Sequence, residues 1–198
     1  MKKKFLGVLI TLFIVAVSCN ANSNSTAAAS VGTAISGKTV YDFTMKDIDG
    51  NIVSLSQYKG KIIVIVNTAS KCGLAPQLKE IEAFYQKYKD KGVVVLGFPE
   101  SNFLDQELHN DADIKAVCTK NFGVTFPLFS RISVKGDDIA PLYKYLTNKS
   151  ENGVIDAPIK WNYQKFIINR EGYVVASVPP RTTVNDQEFM QNIEDLLK

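Results

Sequence analysis

The chain has 198 residues, 45% of them hydrophobic and 22% charged, a composition that suits one globular domain with extra segments. Its formal charge of +3 comes from 23 Lys and Arg against 20 Asp and Glu; Lys2, Lys3 and Lys4 sit together at the start, and without them the two signs balance. No concentrated basic surface remains for a nucleic acid, and three cysteines with one histidine, lacking C-x-x-C or H-x-x-x-H spacing, argue against a metal centre.

"MKKK" is a basic leader, and Phe5 to Val17 is an apolar run without a charge, so residues 1–18 are predicted to be an export signal. The end of that segment, "AVSC", resembles the lipobox of bacterial lipoproteins, which implies that Cys19 is lipidated and becomes the first mature residue. Ala16 and Ser18 also fit an ordinary small-x-small cleavage site. Both routes cut before Cys19, and only the first leaves a lipid on it. Residues 19–37, rich in Asn, Ser, Ala and Gly and free of charge, are expected to form a flexible tether.

The folded unit is expected over 38–198, a size for which one core suffices. Two short apolar runs around Asp49-Gly50 predict a β-hairpin. Lys61–Asn67, "KIIVIVN", is a continuous β-branched run of the kind found in a strand buried on both faces. Pro76 suits a first helical turn, Leu78, Ile81, Phe84, Tyr85 and Tyr88 follow helical spacing, and Gly92 ends the helix. "VVVLGF", Val93–Phe98, completes a strand–helix–strand unit of the parallel kind. A short helix capped by Asn or Asp carries Ile114, Val117 and Cys118, another opens at Pro141, a second hairpin runs from Lys165 to Ser177, and a helix closes the chain. That order predicts a thioredoxin-like α/β fold: a central mixed sheet flanked by helices, preceded by an N-terminal hairpin.

In such folds ligands meet the carboxyl ends of the parallel strands. Cys72, in "NTASKCGLAPQ", lies just past one such end, ahead of a helix and beside Lys71. A helix N-terminus and a neighbouring cation both favour the thiolate, and Gly73 leaves room for an approaching molecule. On these grounds alone Cys72 is either a reactive thiol or a buried, inert one. His109 falls in a polar loop and is expected to be a solvated side chain rather than a base or ligand.

Three separated stretches, "VNTASKCGLAPQLKEIEAFYQKYKDKGVVVLGFP", "NFGVTFPLFSRI" and "IKWNYQKFIINREG", resemble the glutathione peroxidase family in order and spacing. The resemblance covers about 38–198. It implies reduction of hydrogen peroxide and organic or lipid hydroperoxides, with Cys72 as the attacking residue and no cofactor or metal. It implies donor side chains at Trp161 and Asn162, since indole and carboxamide N–H groups can stabilise a thiolate and a developing oxyanion. It also implies a glutamine in a "GFPCNQFGGQEPG" pattern. This chain reads "GFPESNFLDQELH", and the expected carboxamide is assigned to Asn102, one methylene shorter.

Cys118 matches the resolving cysteine of thioredoxin-dependent members, which implies a Cys72–Cys118 disulfide reopened by a thioredoxin-like protein, with glutathione the weaker choice of reductant. The short connection "TNKSENGVIDAPI" resembles that of monomeric members with an open site. Together the readings give an exported peroxidase held at a membrane through Cys19 and facing the periplasm or cell exterior. Two alternatives stand beside it: an exported thiol–disulfide reductase, disfavoured by the missing C-x-x-C, and a non-catalytic binding module, suggested by Asn102 and the altered loop around it.

Overall fold

The computed structural model describes residues 37–198. The export signal, the lipidation site at Cys19 and the tether up to residue 36 lie outside the described residues. No helix among the described residues is long and apolar enough to cross a membrane.

The domain opens with a short 3-10 turn, Val40–Asp42, closed by a reciprocal cap in which the Thr39 side chain accepts from the backbone and Asp42 returns the bond. Strands β1, Thr44–Lys46, and β2, Ile52–Ser54, pair antiparallel as the hairpin pattern predicts. The turn between them places Gly50 at φ +92°, where a side chain would be strained, and Asp47 Oδ1 accepts from the N–H groups of Asp49 and Asn51.

A four-stranded sheet in the order β4-β3-β5-β6 forms the centre. Strand β3, Ile62–Thr68, runs parallel to β4, Val93–Pro99, and antiparallel to β5, Lys165–Ile168, which pairs in turn with β6, Val174–Val178. All seven residues of β3 are buried, and alternate side chains enter opposite cores. Ile62, Val64 and Val66 join one cluster, while Ile63 and Ile65 join the other. Each such aliphatic side chain contributes about 1.5–3 kcal/mol relative to an exposed one.

The first core is covered by helix α1, Gln77–Tyr88, through Leu78, Ile81, Phe84 and Tyr88, and by helix α5, Gln187–Leu197, through Phe189 and Ile193. Helix α2, Asp111–Phe122, adds Ile114 and Cys118. It is capped by Asn110, whose Oδ1 accepts from Ala112 N at 2.7 Å, and it ends in a left-handed Gly123. The second core lies under helix α3, Pro141–Thr147, with Leu142, Tyr143, Tyr145 and Leu146 buried; the one-turn helix α4, Lys149–Asn152, follows it. The outer side of β4 is closed by residues 126–129: Gly97 N donates to Pro127 O and Phe129 N to Gly97 O, both at 2.9 Å. A Cβ at Gly97 would sit 2.7 Å from the Leu128 side chain and 3.0 Å from the Phe126 ring, so any larger residue would push these side chains aside.

Candidate active site

The parallel register sets Thr68 beside Pro99, so β3 and β4 end flush and their following loops leave the sheet together. Glu100 N donates to Thr68 O at 2.9 Å, extending that pairing by one residue. On the other flank of β3, Tyr163 N donates to Asn67 O at 2.7 Å, which brings the turn before β5 to the same end. Three segments therefore converge: 69–76 with Cys72, 100–109, and 161–164. The first two are stitched by Lys71 N donating to Gln106 O at 2.9 Å. The first and third are stitched by the Tyr163 hydroxyl donating to Ala69 O at 2.9 Å. Tyr163 holds φ +72°, an uncommon conformation for a large side chain and a sign that the turn is tightly constrained.

Residues 69–76 wind towards α1 through successive turns, with Cys72 N bonded to Ala69 O and Ala75 N to Cys72 O. Cys72 is buried to 5% exposure between exposed Lys71 and Gly73. Its Sγ accepts from Leu74 N at 3.4 Å. The Lys71 ammonium instead reaches the Glu107 carbonyl oxygen at 3.4 Å.

Asn162 is fully buried and its Nδ2 donates to Gln106 Oε1 at 3.0 Å. That bond uses the carbonyl end of Gln106, so the N–H groups of this half-buried side chain are left as donors. The Trp161 ring is half-buried, packs on Phe103 with centroids 5.1 Å apart, and borders the apolar cluster that contains Cys72. Trp161, Asn162 and the Cys72 loop thus meet at one end of the sheet.

Asn102 lies in the second of these three segments: its Oδ1 accepts from Val134 N at 2.7 Å and its Nδ2 donates to Ser133 Oγ at 3.0 Å, so the carboxamide ties its loop to the 133–134 segment. Gln106, from the same loop, is the carboxamide that meets Asn162. The sequence held a signal for it: "GGQEPG" in the family pattern places a second glutamine directly on Gln106.

Cys118 is 1% exposed on the inner face of α2, and both it and Cys72 are free thiols. Burial, with a smaller contribution from the Glu107 charge, pushes the Cys118 pKa up to about 12. Glu107 is itself fully buried; burial raises its pKa, while bonds from Ser70 Oγ and Leu108 N act the other way. His109 is exposed beside Asp105, 3.6 Å away, as a solvated side chain should be. No group of three or more potential ligands gathers for a metal among the described residues.

A thiol just past the end of a parallel strand, with a backbone N–H on its sulfur, can serve as a nucleophile. The comparisons agree with that chemistry. The glutathione peroxidase profile matches residues 40–147. The probable glutathione peroxidase 2 of Arabidopsis thaliana is 49% identical, covering 82% of this chain and 95% of that protein. The glutathione peroxidase-like peroxiredoxin gpx1 of Schizosaccharomyces pombe is 44% identical, covering 79% and 98%. Among solved structures, the apo form of Trgpx superposes with a TM-score of 0.64 at 37% identity, over 82% of this chain and 97% of that one. A thiol:disulfide interchange protein of Chlorobium tepidum gives a TM-score of 0.55 at 17% identity over 82% and 97%, a likeness of thioredoxin-like fold alone. With relatives this similar across nearly their whole length, the chain belongs to the glutathione peroxidase family and is a peroxidase.

Proposed function

We propose that the Cys72 thiolate attacks the terminal oxygen of a hydroperoxide, ROOH, and is oxidised to the sulfenic acid as the O–O bond breaks. The departing RO⁻ takes a proton and leaves as ROH. Gln106, Trp161 and Asn162 surround the reaction with donors that carry no fixed charge, suited to an anion that moves from sulfur to oxygen. The observation that carries this reading is the Asn162–Gln106 bond at 3.0 Å, which turns the Gln106 N–H groups into free donors beside the Cys72 loop.

Cys118 then resolves the intermediate. Its thiolate attacks the Cys72 sulfenic sulfur, a disulfide forms and water is released; a dithiol of the thioredoxin type reduces that disulfide by exchange. The sum is ROOH plus dithiol giving ROH, water and a disulfide. A disulfide needs the two Cα atoms within about 7 Å. Cys118 lies in the inner face of a capped helix, so α2 unwinds locally before the bond closes. The enzyme acts as a monomer, exported and held at a membrane by a lipid on Cys19, where lipid hydroperoxides are within reach.

Peroxide consumption with a thioredoxin system and with glutathione, in wild type, Cys72→Ser and Cys118→Ser, tests the scheme. Cys72→Ser should be inactive with either reductant. Cys118→Ser should consume one equivalent of peroxide and then stall with thioredoxin. An intact Cys118 thiol after peroxide treatment of wild type would remove the two-cysteine mechanism. Radiolabelled fatty acid incorporated in cells, and lost in Cys19→Ala, tests the anchor.

A further inference from the structure

Strand β4 ends at Pro99, and the next residue, Glu100, is a carboxylate with no exposed surface. A buried carboxylate is costly unless its oxygens are bonded. Both are: Oε1 accepts from Asn67 Nδ2 at 3.1 Å, and Oε2 accepts from the Asn102 backbone N–H at 2.6 Å. The same Asn67 Nδ2 donates to the Trp161 carbonyl oxygen at 3.1 Å. One carboxamide thus links Glu100 to the backbone that carries the indole.

This link has a direction. Asn67 must present its NH₂ to two acceptors at once, and that holds while Glu100 is an acceptor. Asn67 Oδ1 is buried with no partner. Once protonated, Glu100 becomes a donor, and a flip of the Asn67 amide offers Oδ1 to receive it. The flip sets Oδ1 against the Trp161 carbonyl oxygen and breaks that bond.

We propose that Glu100 is a positioning residue for Trp161, fixing the indole through Asn67 while it is ionised and releasing it when protonated. The inference rests on the reading of Cys72 and Trp161 as the reacting centre. Burial pushes the Glu100 pKa up to about 7, opposed by the bonds from Asn67 and Asn102. The charged and titratable groups acting on it are Glu107 from its own loop, which raises it, and Lys135 from the neighbouring segment, which lowers it. From α3, the Tyr143 hydroxyl is held well above its ordinary range, mainly by burial and further by the Glu100 charge, and stays protonated. The switch therefore lies near neutral pH.

Trp161 is the only tryptophan, so its fluorescence reports on its own backbone without any turnover. In reduced full-length Cys72→Ser, emission titrated from pH 5 to 9 should show a transition near pH 7. It should vanish in Cys72→Ser/Glu100→Gln and persist in Cys72→Ser/Glu107→Gln and Cys72→Ser/Lys135→Met. A transition that survives Glu100→Gln, or the lack of one in Cys72→Ser, overturns the proposal. A carbon-13 titration of wild type needs no Glu100 variant: the Glu100 side-chain carboxyl shift and the Asn67 side-chain amide shifts should change together near pH 7. An Asn67 amide that does not follow the Glu100 titration overturns it too. If Cys72→Ser retained peroxidase activity while the fluorescence transition appeared, the fault would lie with the nucleophile assignment and not with Glu100.

Discussion

Asn162 Nδ2 donates to Gln106 Oε1 at 3.0 Å, joining the turn before β5 to the loop after β4. A fully buried asparagine thereby fixes the orientation of a half-buried glutamine. The carbonyl end of Gln106 is taken, and the amide end is offered to whatever lies at the mouth of the site.

Gln106 and Asn102 share a loop and a functional group, and should differ in activity on substitution. On the proposed mechanism Gln106→Ala removes a donor from the reacting centre and should lower kcat/KM for peroxide by about 10²–10³; it also strips the buried Asn162 Nδ2 of its acceptor, so a stability loss of about 1–3 kcal/mol should accompany it. Asn102→Ala breaks bonds to Ser133 and Val134. It should cost about 1–2 kcal/mol of stability and far less activity. Peroxidase kinetics and thermal melts of the two variants side by side check this; a larger activity loss in Asn102→Ala would give the role to Asn102.

Cys118 should be nearly inert in the reduced native protein. With a pKa of about 12, its thiolate fraction at pH 8 is about 10⁻⁴, and its sulfur is enclosed by the core. Iodoacetamide at pH 8 should label Cys72 first, and Cys118 orders of magnitude more slowly. Mild denaturant that opens α2 should accelerate the second labelling. Equal rates on both thiols, measured by mass spectrometry, would show that α2 already exposes Cys118.

Much of this site was legible in the sequence, for identifiable reasons. The β-branched run of β3, the Asn110 cap of α2 and the Asp49-Gly50 turn are local signals, and each element forms where the local chemistry predicts. Cys72, Trp161 and Asn162 stand within contiguous motifs and come to one end of the sheet. The pattern contains two glutamines, aligned with Asn102 and Gln106, and linear position does not tell which carboxamide meets Asn162. Only the bonds to Val134 and from Asn162 separate them. Glu100 and Lys165 gave no warning at all. A charge in sequence reads as surface, and burying it requires partners such as Asn67 or Pro180 that are brought near by the fold.

Trp161 packs on Phe103, and the proposed mechanism adds a donor role for its indole N–H that Trp161→Phe isolates. Trp161→Phe keeps an aromatic ring against Phe103 but loses the indole N–H. The second-order rate constant for Cys72 oxidation should fall at least about tenfold, while the unfolding midpoint shifts little. Trp161→Ala should lose both. Rapid-mixing oxidation followed by dimedone trapping of the sulfenic acid measures the first quantity, and urea titration the second. An unchanged oxidation rate in Trp161→Phe would confine the indole to packing.

Lys165 carries a testable pH dependence of stability. Its Nζ, fully buried, donates to Gln77 Oε1 at 2.6 Å, Thr182 O at 2.7 Å and Pro180 O at 3.3 Å, tying the first residue of α1 to the segment before α5. Burial pushes its pKa down to about 8, with a weaker opposing pull from Glu80. In the unfolded chain the value is about 10.4. Between these two values the unfolded state holds a proton that the folded state has released, so this group adds stability as pH rises through the window. Below about 8 both states are protonated, and the folded one bears a desolvation cost of about 3 kcal/mol. Lys165→Met removes that dependence and orphans the buried Gln77 and Thr182 acceptors. Its destabilisation relative to wild type should therefore grow by up to about 3 kcal/mol from pH 7 to pH 10. Urea unfolding of both proteins at pH 7, 8.5 and 10 measures the difference, and a pH-independent gap would show that Lys165 keeps an ordinary lysine pKa.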